Sequence, residues 1–141
     1  MRNAMNILFL LRIKNDVSYI YDDNTLRQGL EKMKGHGYTA IPVITRGGDY
    51  VGTISEGDFL WHILENGRGS IKDQEQYRVK DIIRKDYMRP VKVSATAEEL
   101  IESATNQNFV PVVDDRNKFI GIVTRRDIIK YFVEKNEALV N

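Results

Sequence analysis

A shift of 69 residues lays Tyr38–Asn66 of this 141-residue chain on Gln107–Lys135 without a gap. Pro42/Pro111, Val43/Val112, Gly52/Gly121, Asp58/Asp127 and Glu65/Glu134 are identical across the shift, and Ile41/Val110, Tyr50/Phe119, Val51/Ile120, Ile54/Val123 and Ser55/Thr124 keep their character. Self-similarity at a fixed spacing constrains architecture more than any single motif, because both copies must satisfy the same local geometry. Each copy holds a β-rich run, a turn, and a second β-rich run ending in Gly-x-x-Ser/Thr-x-x-Asp. An amphipathic segment follows.

In the first copy Ala40–Ile44 and Tyr50–Ile54 read as strands around Arg46-Gly47-Gly48-Asp49, a hairpin signal. In the second, Val110–Val113 and Lys118–Val123 flank Asp114-Asp115-Arg116-Asn117. Phe59, Leu60, Ile63 and Leu64 recur in a helical register that Ile128, Ile129, Phe132 and Val133 repeat, which predicts equivalent faces on one shared core. Upstream, Leu26, Leu30 and Met33 follow the capping cluster Asp22–Thr25. Thr96-Ala97-Glu98-Glu99 is a capping box leading into Leu100, Ile101 and Ala104, a helix about one turn shorter than its counterpart. Short strands at Val17–Tyr21 and Val91–Val93 precede these helices. The fold class is α/β in the α+β sense, two pseudo-symmetric β-α-β-β-α repeats. The boundaries expected are 1–66 for the first repeat with an N-terminal helix, 67–78 for a linker and 79–141 for the second. A unit of 55–65 residues is marginal alone, so the copies are expected to pack as a pair.

Composition narrows function. Lys plus Arg total 21 against 20 acidic residues, without the basic excess of a polyanion binder. Zero Cys removes disulfides, thiolate metal sites and a Cys nucleophile, and fits a reducing compartment. Two histidines, His36 and His62, leave little material for zinc or a Ser-His-Asp triad. The run Ile7–Leu11 is too short for a signal-peptide core and is expected to pack as an opening helix. No stretch approaches the ~20 apolar residues of a membrane span, so a cytoplasmic protein is expected.

The repeated Gly-x-x-Ser/Thr-x-x-Asp falls where a strand hands over to a helix. Ser55 and Thr124 can be N-caps, with Asp58 and Asp127 completing capping boxes. The same geometry suits a nucleotide, since a helix N-terminus offers free N–H groups to a phosphate and a carboxylate one turn on can accept from ribose hydroxyls. Spacing alone leaves both open.

Tyr38-Thr39-Ala40-Ile41-Pro42-Val43, Gly52–Asp58, Asn108–Val113, Gly121–Asp127 and the opening Val79-Lys80-Asp81-Ile82 together resemble a tandem pair of cystathionine-β-synthase-type (CBS) domains, a Bateman module. The resemblance covers roughly residues 5–137. It implies a regulatory module that binds an adenine nucleotide in clefts between the repeats and signals occupancy to a partner protein. Cyclic di-AMP binding and a ligand-free dimerisation scaffold are the alternatives it leaves. Carried over by motif, cleft one uses Thr124, Arg125, Arg126 and Asp127 with Val17, Ser18, Tyr38, Thr39, Ala40 and Ile41. Cleft two uses Ser55 and Asp58 with Val91, Asn108, Phe109 and Val110.

Between hydroxyl and acid the second motif carries Arg125-Arg126 where the first carries Glu56-Gly57, so cleft one is the better phosphate site. No acidic cluster or His accompanies the arginines, which argues against hydrolysis. No catalytic residue, metal or resident cofactor is therefore expected. The resemblance also implies a homodimer, with Trp61 and Tyr131 as candidates for an exposed apolar patch. His62 lies between the apolar registers and is expected at the surface, and His36 in an exposed loop. Neither nucleic acid nor membrane is an expected partner.

Overall fold

The computed structural model describes residues 6–36, 39–66, 73–84 and 86–140. Tyr38, the side chain of His36 and the connector over 67–72 lie outside the described residues. In chain order the elements are β1 (Arg12–Ile13), β2 (Ile20–Tyr21), α1 (Leu26–His36), β3 (Ala40–Ile44), β4 (Tyr50–Ser55) and α2 (Glu56–Asn66). There follow α3 (Val79–Ile82), β5 (Val91–Lys92), α4 (Ala97–Thr105), β6 (Phe109–Val113), β7 (Phe119–Thr124) and α5 (Arg125–Val140).

The 69-residue offset is reproduced residue for residue in the hairpins. β3 pairs antiparallel with β4 from Ala40↔Ser55 to Ile44↔Tyr50, and β6 with β7 from Phe109↔Thr124 to Val113↔Phe119. Each ladder slips at the same place, Val43/Ile44 and Val112/Val113. The turns use different chemistry for the same end. Gly48 takes φ 95° beside the Thr45 hydroxyl, which accepts from Asp49 N at 3.0 Å. In the other hairpin Asn117 takes φ 65° and Asp114 Oδ1 accepts from Arg116 N at 2.8 Å and Lys118 N at 2.9 Å.

The compact units do not coincide with the linear repeats. One unit is Ser18–Tyr87; the other joins Met1–Val17 to Met88–Asn141. The compact units are thus a different partition from sequence repeats divided at 66 and 79, and the physical reason is an exchange of opening segments. In the 18–87 unit the sheet runs β2-β3-β4, with β2 parallel to β3. Its core of Ile20, Leu26, Met33, Ile41, Val43, Ile54 and Phe59 is completed by Val79, the first residue of α3, which is fully buried. In the other unit the sheet runs β1-β7-β6-β5, so the opening strand of the first repeat lies on the second repeat's sheet. Ile7 is 1% exposed within the core of Val91, Leu100, Ala104, Val110, Val112, Val123 and Ile128. Burying each such side chain contributes roughly 1.5–3 kcal/mol, enough to hold an opening segment against its partner sheet.

Gly121 shows how closely β1 approaches. A Cβ there would lie 2.1 Å from the Arg12 carbonyl oxygen, at φ +155°. The matching Gly52 faces the other opening segment more loosely, with Ile83 Cδ1 3.0 Å from a built Cβ.

Several expectations are corrected. Residues 7–9 form one 3-10 turn rather than a helix; Ile7 is buried while Leu8 and Phe9 are exposed. The helical registers do not face one shared core, since each unit has its own. Phe59 and Ile128 point inward, while Leu60, Leu64, Ile129 and Val133 are exposed, so half of each apolar register lies at the surface. His62 is buried, because Tyr77 packs edge-on against its ring at 4.4 Å. Trp61 is exposed as expected, but Tyr131 is half-buried beside Phe132. α4 spans 9 residues against 11 for α1, a shortening of two residues.

Candidate functional site

Each repeat builds the same junction where its second hairpin strand becomes a helix. In the 18–87 unit Glu56 N donates to Thr39 O at 2.9 Å, and in the other Arg125 N donates to Asn108 O at 2.8 Å. The first helical N–H is thus satisfied by the residue that precedes the hairpin. The capping box predicted at Ser55-x-x-Asp58 is formed in both directions. Asp58 N donates to Ser55 Oγ at 3.3 Å, and Ser55 N and Oγ donate to Asp58 Oδ2 at 2.8 and 3.1 Å.

The other oxygen of Asp58 is also occupied. Arg84 Nε lies 2.7 Å from Oδ1, and the acid's side chain is only 5% exposed. The Arg84 guanidinium is held in turn over the Tyr87 ring at 3.8 Å. Both carboxylate oxygens of this junction therefore have protein partners.

The second junction is more open. Asp127 N donates to Thr124 Oγ1 at 3.1 Å, and Arg12 Nε donates to Asp127 Oδ2 at 3.0 Å. The side chains of Arg12 and Asp127 are 51% and 27% exposed. The Arg12 guanidinium holds the Asp127 carboxyl below the usual carboxylate range; partial burial opposes this, and a hydrogen bond from Thr124 supports it. The two adjacent arginines separate in role. Arg125 Nε donates to Ala104 O at 2.8 Å and Nη2 to Thr105 O at 3.4 Å, so it caps the C-terminus of α4. Arg126 is exposed and makes no ion pair among the described residues. Asn108, Thr124, Arg125, Arg126 and Ile129 line a cavity of about 390 Å³ in this unit.

The residues assigned to the two clefts divide between the units. Val17 belongs with Thr124–Asp127, whereas Ser18, Thr39, Ala40 and Ile41 belong to the 18–87 unit. Ser55 and Asp58 lie in that unit, and Val91, Asn108, Phe109 and Val110 in the other. Asn108, grouped from the sequence with Ser55 and Asp58, stands beside Thr124. Ile41 and Val110 are fully buried and Val91 is 8% exposed, so their side chains serve the cores. Val17, Ser18, Ala40 and Phe109 are half-buried and Thr39 is exposed. Sequence reasoning missed Arg12 and Arg84. Both lie in the opening segments of the repeats, and no local motif ties them to acids 115 and 26 residues away. Their one shared signal is position, an arginine shortly before β2 in one repeat and before β5 in the other.

The sequence profile of the CBS domain matches residues 11–65 and again 79–134. This chain belongs to the CBS-domain family. The two matches make it a tandem CBS pair, in keeping with the two copies of one hairpin–helix unit. Over 117 residues the CBS pair is 31% identical to an inosine-5'-monophosphate dehydrogenase of Methanocaldococcus jannaschii, covering 82% of this chain and 21% of that protein. The chain spans between 21% and 49% of the length of the first three curated relatives it matches.

Among solved structures, CbpB of Listeria monocytogenes in complex with c-di-AMP is similar at a TM-score of 0.83 and 25% identity, covering 95% of this chain and 99% of that one. Another CbpB complex with c-di-AMP reaches a TM-score of 0.87 at 24% identity, covering 96% and 89%. CBSX2 in complex with AMP gives 0.74 at 21% identity, covering 93% and 98%. These neighbours hold adenine nucleotides, and they share the fold of this CBS pair. No helix of the described residues is long and apolar enough to cross a membrane.

Proposed function

We propose that this CBS pair is a non-catalytic regulatory module that binds an adenine nucleotide and signals its occupancy to a partner protein. The observation that carries the reading is the second strand–helix junction, where Arg126 stands uncommitted beside the Thr124 hydroxyl and a 390 Å³ cavity. A guanidinium next to a helix N-terminus suits a phosphate, and Asp127 one turn on can accept from a ribose diol. The first junction offers Glu56 in place of Arg125 and an acid already closed by Arg84, so it is the weaker site. Repulsion between Glu56 and a phosphate acts in the same direction.

Cyclic di-AMP is the second reading, supported by the similarity to two CbpB complexes that hold it. The exposed apolar stretches on α2 and α5 support a homodimer, which is also the contact a ligand-free scaffold would use.

Calorimetry with AMP, ATP and cyclic di-AMP tests the reading. Arg126→Ala and Asp127→Ala should each weaken binding at least tenfold, and Asp58→Ala less. A larger loss from Asp58→Ala reverses the ranking of the two junctions. Absence of heat and of thermal shift with all three compounds leaves the scaffold.

A further inference from the structure

The acid that nucleotide binding assigns to the ribose is already in use. Arg12 Nε donates to Asp127 Oδ2 at 3.0 Å, a contact that spans 115 residues of chain inside one unit. A vicinal diol donates two hydrogen bonds and meets a carboxylate best with one hydroxyl on each oxygen. Arg12 holds one of those two places. A charged donor is a stronger partner than a neutral hydroxyl, so a diol that takes both oxygens has to displace it.

Two further observations make this pair a latch rather than a strut. The Arg12 backbone is held in place, since β1 pairs with β7 at Arg12↔Ile122 and Ile13↔Gly121 and its carbonyl packs on the bare Cα of Gly121. The Arg12 side chain is exposed, so its head group can turn into water while the strand stays paired. Asp127 in turn lines a cavity of about 280 Å³ with Phe9, Leu10, Lys130, Tyr131 and Glu134, so a ligand reaches its carboxylate without disturbing the core. The first junction differs on both counts. Asp58 is buried, and Arg84 is held over the Tyr87 ring.

We propose that Arg12 is an intramolecular competitor for the ribose seat on Asp127, and that it weighs against nucleotides with both ribose hydroxyls unesterified. The proposal rests on the nucleotide reading above and adds a residue that selects among ligands of that class. A nucleotide whose 3′ oxygen sits in a phosphodiester keeps one hydroxyl. Oδ1 alone can accept it, and Arg12 stays where it is. The same latch therefore taxes a mononucleotide and spares a 3′-linked one.

Calorimetry with AMP and 3′-deoxy-AMP on the full chain and on Arg12→Ala tests it. Deleting the competitor should raise the preference for AMP over 3′-deoxy-AMP about two- to fivefold, the range set by an exposed ion pair. A positive charge lost near the phosphate acts on both ligands alike and cancels in that ratio, as does any loosening of β1. Arg12→Lys keeps a cation on the strand and should return the ratio toward the wild-type value. A ratio that Arg12→Ala leaves unchanged or lowers would overturn the proposal. Asp127→Ala separates its failure from that of the nucleotide reading. If Asp127→Ala weakens AMP while Arg12→Ala leaves the ratio alone, only the competitor falls. If AMP binds wild type and Asp127→Ala equally, the ribose seat falls with it, and if neither nucleotide binds wild type or Arg12→Ala, so does the reading itself.

Discussion

Arg84 closes on Asp58 at 2.7 Å inside the 18–87 unit, and in the other unit Arg12 closes on Asp127 at 3.0 Å. Each arginine comes from the opening segment exchanged into that unit, and each acid ends the repeated Gly-x-x-Ser/Thr-x-x-Asp. The two pairs match in topology and differ in burial, 5% exposure for the first acid's side chain against 27% for the second. A buried carboxylate depends on its counter-charge more than a wet one.

Arg84→Ala should therefore cost more stability than Arg12→Ala. With Arg84 itself half-exposed, the expected losses are about 1–2 kcal/mol and below ~1 kcal/mol. Urea denaturation of the two variants checks the order, and equal losses would mean that burial of Asp58 carries no extra cost.

Gly121→Ala should detach β1. Its Cβ would meet the Arg12 carbonyl at 2.1 Å, a backbone atom that cannot swing aside. A loss of about 2 kcal/mol or more is expected. Gly52→Ala meets the end of the Ile83 side chain at 3.0 Å, which can rotate, and should cost under ~1 kcal/mol. Amide exchange at residues 12 and 13 should rise in the first variant and not in the second.

Arg125→Ala should lower stability by about 1 kcal/mol, because it strips the Ala104 and Thr105 carbonyls of their cap. Nucleotide affinity should stay within about twofold of wild type, in contrast with Arg126→Ala. Thermal melts and calorimetry on the same samples separate the two arginines. A larger affinity loss from Arg125→Ala would return the phosphate to that residue.

Acid should weaken the fold in a defined window. Asp127 is lowered by Arg12, Asp23 by Arg46, and Asp114 by hydrogen bonds from the Lys118 and Arg116 amides. Groups depressed in the folded state bind fewer protons there than in the unfolded chain, where Asp titrates near ~3.9. Their contribution is complete above that value and disappears as pH falls through the folded values. Wild type should therefore lose stability below about pH 4. Its advantage over Arg12→Gln, measured by denaturation at several pH values, should shrink over the same range.

Much of this was readable from the chain. The 69-residue shift located both hairpins and the helices that follow them, because turns, strands and caps are local and both copies carry their signals. Thr96 and Glu99 form the expected capping pair, with Glu99 N 3.2 Å from Thr96 Oγ1. What stayed hidden depends on distant partners. β1 is a strand of two residues, too short to leave a periodicity, and its place is set by pairing with β7. His62 reads as a surface residue from its own helix, and Tyr77, arriving after the connector, packs against its ring. Arg125 and Arg126 look alike in sequence; the nearby end of α4 is what tells them apart.

The traded opening segments tie the fate of the two halves together. Cleaving the backbone within the connector would give two fragments, each lacking a buried residue that the other carries: Val79 for one interior, Ile7 for its counterpart. Such pieces should regain native spectra on mixing and fail to do so apart, so the two repeats are obligate co-inhabitants of a single folding event.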